Sequence, residues 1–333
     1  MVPPWMTLAV LAALVRIPAG DAAPQRLSRT GLYGPAGGIA PGVLAYAPQY
    51  PLWSDGAAKA RWVLLPRGAA IDGTDPGAWV FPVGTRFWKE FSFGGRKVET
   101  RMLWRSSATT WTYAAYAWRD DQSDADLVGP QGLPRAAEIA PGVYHTIPGH
   151  ADCRACHENP APGPLGFDAL QLSVDRDSGA LHGEPLRPGQ ATLATLADRG
   201  LLRPAPPDLA PRIQAADPRA RAALGYLHVN CGSCHREGNP IPHVDLDFRY
   251  REGGSRALST ALGRPTHSQL PGRRAGTLAI APGSPEESLL LARMRSHSPL
   301  QRMPPTGTVL VDQEAVGLLT AWIAQGGCGM VPP

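Results

Sequence analysis

The sequence predicts a multidomain α+β fold, in which an antiparallel β-sandwich or barrel-like domain is followed by mainly α-helical domains. Residues 45–130 contain seven of the nine tryptophans and several segments in which apolar and polar residues alternate, as they do in half-buried strands. Residues 213–333 instead contain two segments whose apolar residues recur at helical spacing. Because strands and helices are concentrated in different parts of the chain, we expect separate domains.

Length and composition limit the architecture and the class of partner. A chain of 333 residues is long enough for two or three domains, and 43% apolar residues are sufficient to form hydrophobic cores. The 37 glycines and 36 prolines predict many loops. The formal charge is only +4 and the sequence has no run of basic residues, so we expect no nucleic-acid partner.

The first 23 residues have the features of a signal peptide. Residues 7–15 form a short apolar run, and residues 19–23 offer small side chains for cleavage. No Lys or Arg precedes Arg16, which leaves an uncleaved anchor or a wrongly assigned start codon as alternatives. Beyond this segment no apolar run is long enough to span a membrane. Residues 24–44, rich in Gly, Pro and Ala, are interpreted as a linker or arm.

Residues 45–130 are predicted to form the β-rich domain. Gly94 and Gly95 separate two strand-like segments and predict a hairpin turn. We interpret the many aromatic residues as the core of this domain, with a platform for a carbohydrate or another ligand as the alternative. The predicted strands are 60–65, 79–83, 86–93, 97–104 and 110–118.

The pattern C-x-x-C-H occurs twice and uses four of the five cysteines. This pattern attaches haem c: the two thiols become thioethers with the haem vinyl groups, and the adjacent histidine becomes the proximal iron ligand. We therefore predict two covalently attached haems, each with its iron. Bacteria attach haem c outside the cytoplasm, which agrees with the signal peptide and predicts a periplasmic protein. The predicted attachment residues are Cys153, Cys156, Cys231 and Cys234, and the predicted proximal ligands are His157 and His235.

Zinc, redox and disulfide sites also use pairs of cysteines. Zinc-ribbon pairs usually lie about 15–20 residues apart, whereas 78 positions separate Cys153 from Cys231. A thioredoxin-like pair would belong to a βαβ unit, and the sequence contains no such unit. Structural disulfides are the third alternative.

The first motif is expected to lie in a short haem domain, residues 131–212. Prolines and glycines before Cys153 exclude a long helix there. Helical spacing appears only later, over residues 190–201, with Gly200 as a C-terminal stop.

The second motif is expected to lie in a domain closer to cytochrome c, residues 213–333. Asp217 and Pro218 predict the start of a helix that leads directly into Cys231. A final helix is predicted from Asp312 to Gln325, with Asp312 as its N-cap. An entry helix that crosses a C-terminal helix is the packing of class I cytochromes c.

Met303 is the predicted sixth ligand of the second haem, because a Met-Pro pair between the motif and the last helix occupies the place of the distal methionine in class I cytochromes. Met294, in a helix predicted over 286–295, is the competitor. No methionine lies between Met102 and Met294, so the first haem lacks such a partner. It is either open at its sixth position or bis-histidine. Its histidine candidates are His145, His150, His182 and His228.

Two further features are the prolines that follow each C-x-x-C-H unit and the fifth cysteine. Pro162 and Pro240 lie at the same distance after the two proximal histidines, and so do Pro164 and Pro242. A proline carbonyl at such a place can accept the Nδ1–H of the histidine and fix its tautomer, with coincidence as the alternative. Cys328 is the odd thiol, either free or paired between molecules.

Several segments resemble a family of bacterial exported dihaem c-type cytochromes with an N-terminal β-rich region, most of them described as proteins of unknown function. The resemblance implies haem c and electron transfer but no substrate. Relatives tend to carry a further cysteine within the region equivalent to 263–273, where this chain has none. A disulfide from that region to Cys328 is therefore unavailable. The resembling segments are 50–56 (YPLWSDG), 81–91, 165–167, 171–172, 226–231, 281–285 and 302–305.

Together these features predict a cytochrome that transfers single electrons between a periplasmic donor protein and an acceptor protein. Two alternatives stay open. The first is a peroxidase-like haem oxidoreductase that uses an open coordination position on the first haem and receives electrons from the second. The other is a β module that binds a partner or a sugar, with the haem domains as its electron outlet.

Overall fold

The computed structural model describes residues 22–158, 163–238, 245–251, 254–267, 270–271 and 276–327. Its largest element is a six-stranded antiparallel sheet in the order β1-β2-β4-β5-β6-β7. Neither edge strand pairs with the other, so the described residues form an open sheet and no closed barrel. The strands are β1 (Leu44–Ala45), β2 (Ala58–Leu64), β4 (Arg86–Phe93), β5 (Arg96–Arg105), β6 (Trp111–Trp118) and β7 (Ala125–Leu127).

The described residues also form three two-stranded sheets. Strand β3 (Ile71–Asp72) pairs in parallel with β10 (Leu202–Arg203). Strands β8 (Leu133–Ala140) and β9 (Val143–Ile147) form a hairpin immediately before the first motif. The last pair is β11 (Tyr250–Arg251) with β12 (Gly254–Ser255).

Six α-helices are described, and most lie in the second half of the chain. They are α1 (His150–His157), α2 (Leu193–Asp198), α3 (Pro218–Asn230), α4 (Arg256–Thr260), α5 (Leu289–Met294) and α6 (Gln313–Ala324). Short 3-10 turns occupy Leu27–Arg29 and Pro285–Glu287. Among these described residues, no helix is long and apolar enough to cross a membrane.

The predicted strands agree with the sheet except at 79–83. There only Val80 makes a bridge, to Asp72, because Pro82 has no N–H to donate to a ladder. The turn predicted at Gly94 and Gly95 joins β4 to β5, and both glycines have positive φ (54° and 79°). This backbone shape suits a tight hairpin and favours glycine.

Both faces of the sheet are buried. One face packs Trp88 and Met102 against Leu27 and Leu32 from the segment predicted as a linker or arm. The other face packs Phe87 and its neighbours against Phe167, Leu172 and Leu193. Most tryptophans in this region therefore serve as core, as the sequence predicted.

A third core is helical and contains the second motif's entry helix. Helix α3 begins at the predicted N-cap, where the Asp217 side chain accepts from Ala220 N at 2.9 Å. Helix α6 begins in the same way at Asp312. The two helices pack together through residues such as Leu227 and Leu319, both fully buried. Both predicted helices are confirmed, whereas the helix predicted over 286–295 is divided into a 3-10 turn and α5.

Candidate functional site

The second C-x-x-C-H unit forms a tight turn at the end of α3. The amide of Cys231 still donates to the helix, and the amides of Cys234 and His235 both donate to the Cys231 carbonyl, at 3.1 and 2.8 Å. A side chain at Gly232 would place its Cβ only 2.4 Å from the His228 carbonyl oxygen. Glycine is therefore required there, and the turn brings both thiols and the imidazole together.

One ring nitrogen of His235 makes no hydrogen bond to the described residues. Its Nδ1 is buried and has no hydrogen-bond partner among the described residues. Its ring meets Phe248 edge-on at 5.5 Å between centroids. Burial lowers the pKa of His235 and so favours the neutral imidazole that binds iron. The prolines predicted to bond this histidine, Pro240 and Pro242, lie outside the described residues.

The first unit lies within a helix of eight residues rather than after a long one. Gly149 is the N-cap of helix α1, and its backbone amide donates to the Asp152 carboxylate at 3.0 Å. A side chain at Gly149 would meet the Pro130 carbonyl oxygen at 2.6 Å, so glycine permits this close approach. Helix α1 then packs on β6 of the large sheet.

His157 is held by a backbone carbonyl, although not the predicted one. Its Nδ1 donates to the Gly163 carbonyl oxygen at 2.8 Å, which leaves Nε2 free for a metal. The predicted acceptors were the carbonyls of Pro162 and Pro164. Pro162 lies outside the described residues, and at Pro164 the structure uses the carbonyl of the residue before the proline. The ring also lies 5.7 Å from that of Tyr113.

The environment of His157 keeps its imidazole neutral. Burial, with smaller contributions from the positive charges of Arg101 and Lys89, lowers the pKa of His157 to about 4. The hydrogen bond to Gly163 acts in the opposite direction but is outweighed. A neutral imidazole is the form that ligates iron, so the site is suited to that role.

The two motifs meet in space. The Cys156 and Cys234 side chains lie close enough to interact, and this interaction lowers the pKa of Cys234. The other thiols point to different cores: Cys153 packs against the core on the sheet, and Cys231 packs against the helical core. Sequence spacing gives no signal of this closeness.

Met303 lines a small cleft of about 30 Å³ beside the second motif's entry helix. The cleft also contains Tyr226 of α3, Met294 and the loop 308–312. The Met303 amide donates to the Arg293 carbonyl at 3.1 Å, which fixes its backbone. Met294 lines the same cleft, so the two candidate methionine ligands lie near each other. Met294 is only 9% exposed and belongs to the helical core.

Three histidines predicted as ligands of the first haem are already bonded to neighbours. His145 Nε2 lies 2.9 Å from Glu99, and His182 Nε2 lies 2.9 Å from Asp312. Nδ1 of His228 accepts a hydrogen bond from the backbone amide of Tyr250. His150 is exposed at the start of α1. In the described residues, no group of three or more His, Cys, Asp or Glu side chains is arranged to hold a metal ion.

The segment 50–56, one of those that carry the resemblance, contacts the second motif from the β-rich region. The Asp55 carboxylate accepts from the amides of Val309 and Leu310 at 2.8–3.1 Å, in the loop after Met303. The Trp53 amide donates to Asn230, next to Cys231, at 2.7 Å. The resemblance to the cytochrome family includes this segment but implies no role for it.

Tyr50 joins this segment to α3. A Cβ at Gly225 would lie 2.1 Å from the Tyr50 ring, so the glycine lets the ring lie directly on the helix backbone. The Tyr50 hydroxyl donates to Asp177 at 2.9 Å, and the ring is 2% exposed. One aromatic side chain thus connects the β-rich region, the loop around residue 177 and the entry helix.

The entry helix ending in C-x-x-C-H, the C-terminal helix packed on it and the methionine loop between them define a c-type cytochrome domain. A family model described as Planctomycete cytochrome C (PSCyt1) matches residues 231–307, from the first thiol of the second motif to just beyond Met303. No curated protein matches the chain, and no solved structure does. The match supports haem c and iron as the cofactor, with electron transfer as the suggested activity.

The residues at both motifs fit such a cofactor. Each motif presents two reduced thiols and a neutral imidazole, which is the donor set that haem c requires. In addition, Nδ1 of His235 is a buried polar atom without a partner among the described residues, and the bond at Nδ1 of His157 leaves its Nε2 free. A bound haem and its surroundings would engage both imidazoles.

Proposed function

We propose that the chain is an exported dihaem c-type cytochrome that transfers single electrons between a donor protein and an acceptor protein in the periplasm. The observation that carries this proposal is the contact between Cys156 and Cys234, which places the two C-x-x-C-H units side by side. When bound, haem c supplies one-electron chemistry at its iron. Adjacent attachment points support an internal electron relay.

Each residue has a defined task in this proposal. Cys153 and Cys156 tether one haem and Cys231 and Cys234 the other, while His157 and His235 are the proximal ligands. The Gly163 carbonyl orients His157 through Nδ1, and burial keeps both imidazoles neutral. Met303 is the distal ligand of the second haem, and its thioether raises the reduction potential.

The proposal includes the organisation expected from the sequence. A signal peptide, of which residues 1–21 lie outside the described part of the chain, would direct export. An arm at 24–44, a β-rich domain at 45–130 and two haem domains at 131–212 and 213–333 would follow. The fifth thiol, Cys328, also lies outside the described residues.

A second candidate is a peroxidase-like oxidoreductase that uses an open position on the first haem. It is favoured by the partners of His145 and His182, whose Nε2 atoms are already bonded to carboxylates. Neither histidine is then free to fill the sixth position. In this version the second haem supplies electrons to the first.

The test is to express the chain with a haem c maturation system and to count haems by pyridine haemochrome and mass. Two haems are expected in the wild type, and one in Cys153→Ala/Cys156→Ala and in Cys231→Ala/Cys234→Ala. A wild type with one haem would contradict the dihaem proposal, and a wild type with none would contradict haem binding altogether.

EPR spectra of the same samples separate the two candidate functions. Two low-spin irons and no turnover with peroxide support the electron carrier. One high-spin iron, assigned by its loss in Cys153→Ala/Cys156→Ala, together with peroxide turnover, supports the oxidoreductase.

A further inference from the structure

One face of the large sheet carries a row of three positive side chains. The strand register places Arg61 of β2 opposite Lys89 of β4, and Lys89 opposite Arg101 of β5. Residues directly opposite each other in neighbouring strands project to the same face. Like charges in that arrangement repel each other, so this row of cations, in which Arg61 is buried and Lys89 and Arg101 are half-buried, requires negative charge nearby.

Carboxylates of the protein compensate only part of this charge. Glu99 pairs with Arg101 at 2.5 and 2.9 Å, and Glu184 pairs with Arg61 at 2.8 Å. Lys89, between the two arginines, has no carboxylate within ion-pair distance among the described residues, and neither has Lys59. The Lys89 ammonium instead lies 4.8 Å from the centroid of the Phe91 ring.

An unsatisfied donor in the same row points to a missing acceptor. Arg61 is 5% exposed, and its Nη2 is buried without a hydrogen-bond partner in the described part of the chain. A buried guanidinium N–H without an acceptor is costly, because it has lost its water and gained nothing in return. Lys59 and Arg105 project from the same face, so basic side chains there outnumber the two paired carboxylates.

The row lies beside the first C-x-x-C-H unit. Tyr113 projects from the same face, two residues from the partner of Arg101, and its ring lies against His157. Cys153 packs into the hydrophobic core on this face. The cations and the first motif therefore share one environment.

We propose that Arg61, Lys89 and Arg101 form a carboxylate site that takes the propionates of a haem attached at Cys153 and Cys156. This inference rests on the proposed function, since it requires a haem at the first motif. Haem carries two propionate carboxylates, which would supply the acceptors that Lys89 and Arg61 Nη2 lack among the described residues. Arginine binds carboxylates through paired N–H donors, and the free Nη2 of Arg61 supplies such a donor. The β-rich region thus forms part of the first haem site.

The test uses spectroelectrochemical titration of the full-length, haem-loaded protein from pH 5 to pH 8. The wave that Met303→Ala leaves in place is assigned to the first haem. With Lys89→Met we expect the potential of this wave to fall, because a lost positive charge favours ferric iron. We also expect it to become pH-dependent, because a propionate without its cation takes up a proton in this range. Lys89→Arg should restore the flat profile.

Arg96→Gln is the matched control, since it removes one positive charge from the exposed end of β5 in the same sheet. It should leave both the potential and its pH profile unchanged. If Lys89→Met keeps its two haems and shows neither change, the propionate site is overturned while the dihaem proposal stands. If the wild type carries no haem at the first motif, the proposed function itself fails, and the haem count shows this separately.

Two further measurements cover the remaining outcomes. Sodium acetate is added to the wild type as a free carboxylate. A concentration-dependent shift of the first wave that Lys89→Met abolishes would mean that the row binds a free anion, which overturns the propionate assignment. Where Lys89→Met does not fold, the resonance Raman propionate bending modes of the wild type decide. Hydrogen-bonded propionates support the site, and free propionates at both haems overturn it.

Discussion

The two C-x-x-C-H units use the same five-residue pattern in different surroundings. The second follows α3, a helix of thirteen residues, and faces a methionine loop. The first lies within α1, a helix of eight residues that packs on the large sheet, beside a sheet face that carries the row of cations. In the proposed dihaem protein, the pattern would specify haem attachment, whereas the surrounding elements would determine the ligands and charges that each haem meets.

The largest difference is expected in reduction potential. A methionine ligand raises the potential, and a haem without one stays lower. In one-haem variants, Cys153→Ala/Cys156→Ala should titrate at least about 0.3 V above Cys231→Ala/Cys234→Ala, within the roughly 0.8 V that axial ligands span. Equal potentials in the two variants would remove the distinction between the sites.

Met303→Ala tests whether that difference comes from the predicted ligand. We expect the methionine-type charge-transfer band to disappear and the upper potential to fall by about 0.2 V, a quarter of the range that axial ligands cover. Met294→Leu is the control, because Met294 lines the same cleft and is of similar volume. Loss of the band in Met294→Leu instead would identify Met294 as the ligand.

Asp55→Ala tests whether the second site depends on the β-rich region. It removes charge-assisted hydrogen bonds to Val309 and Leu310. At about 1.5–3 kcal/mol for each such bond, the free energy of unfolding should fall by about 3 kcal/mol. The methionine band should also weaken in the folded protein. Asp208→Ala, which removes a single local bond at an exposed turn, should change stability by under about 0.5 kcal/mol.

An unchanged methionine band in Asp55→Ala, with folding intact, would show that the methionine loop keeps its position without the segment 50–56. The two sites would then be independent in this respect, and Asp55 would have a purely stabilising role.

Gly225→Ala is expected to have the smallest effect. The new methyl group would overlap the Tyr50 ring, at a cost of about 1–3 kcal/mol. Gly317→Ala in α6 is a matched control with open space around the new Cβ, and should stabilise the helix by up to about 1 kcal/mol. Chemical denaturation measures both. Destabilisation of similar size in both variants would show that the Tyr50 contact is unimportant.

The sequence predicted those features that local chemistry determines. Helix α3 starts at Asp217 because an aspartate N-cap and a proline at the first position specify a helix start without help from the rest of the chain. Strand β4 has the predicted bounds because its side chains suit a buried strand and Gly94–Gly95 ends it. The strand predicted at 79–83 was wrong. The strand propensity of its side chains suggested a ladder, but Pro82 has no N–H to donate to one.

Contacts between distant segments were not predictable from patterns. Nothing in periodicity relates Cys156 to Cys234, Tyr50 to Gly225 or Asp55 to Leu310. Each of these contacts depends on how complete elements pack, and a single sequence records no such pairing. The cation row is an intermediate case, since its residues are visible in the sequence but only the strand register places them side by side.

The contact between Cys156 and Cys234 also bears on the order of maturation. Two thiols that lie close together can form a disulfide wherever an oxidant reaches them, and the lowered pKa of Cys234 favours its reactive thiolate. Such a bond would remove one thiol from each motif and so prevent both haems from attaching through two thioethers. In the proposed dihaem protein, haem attachment would therefore precede the folding step that brings the motifs together.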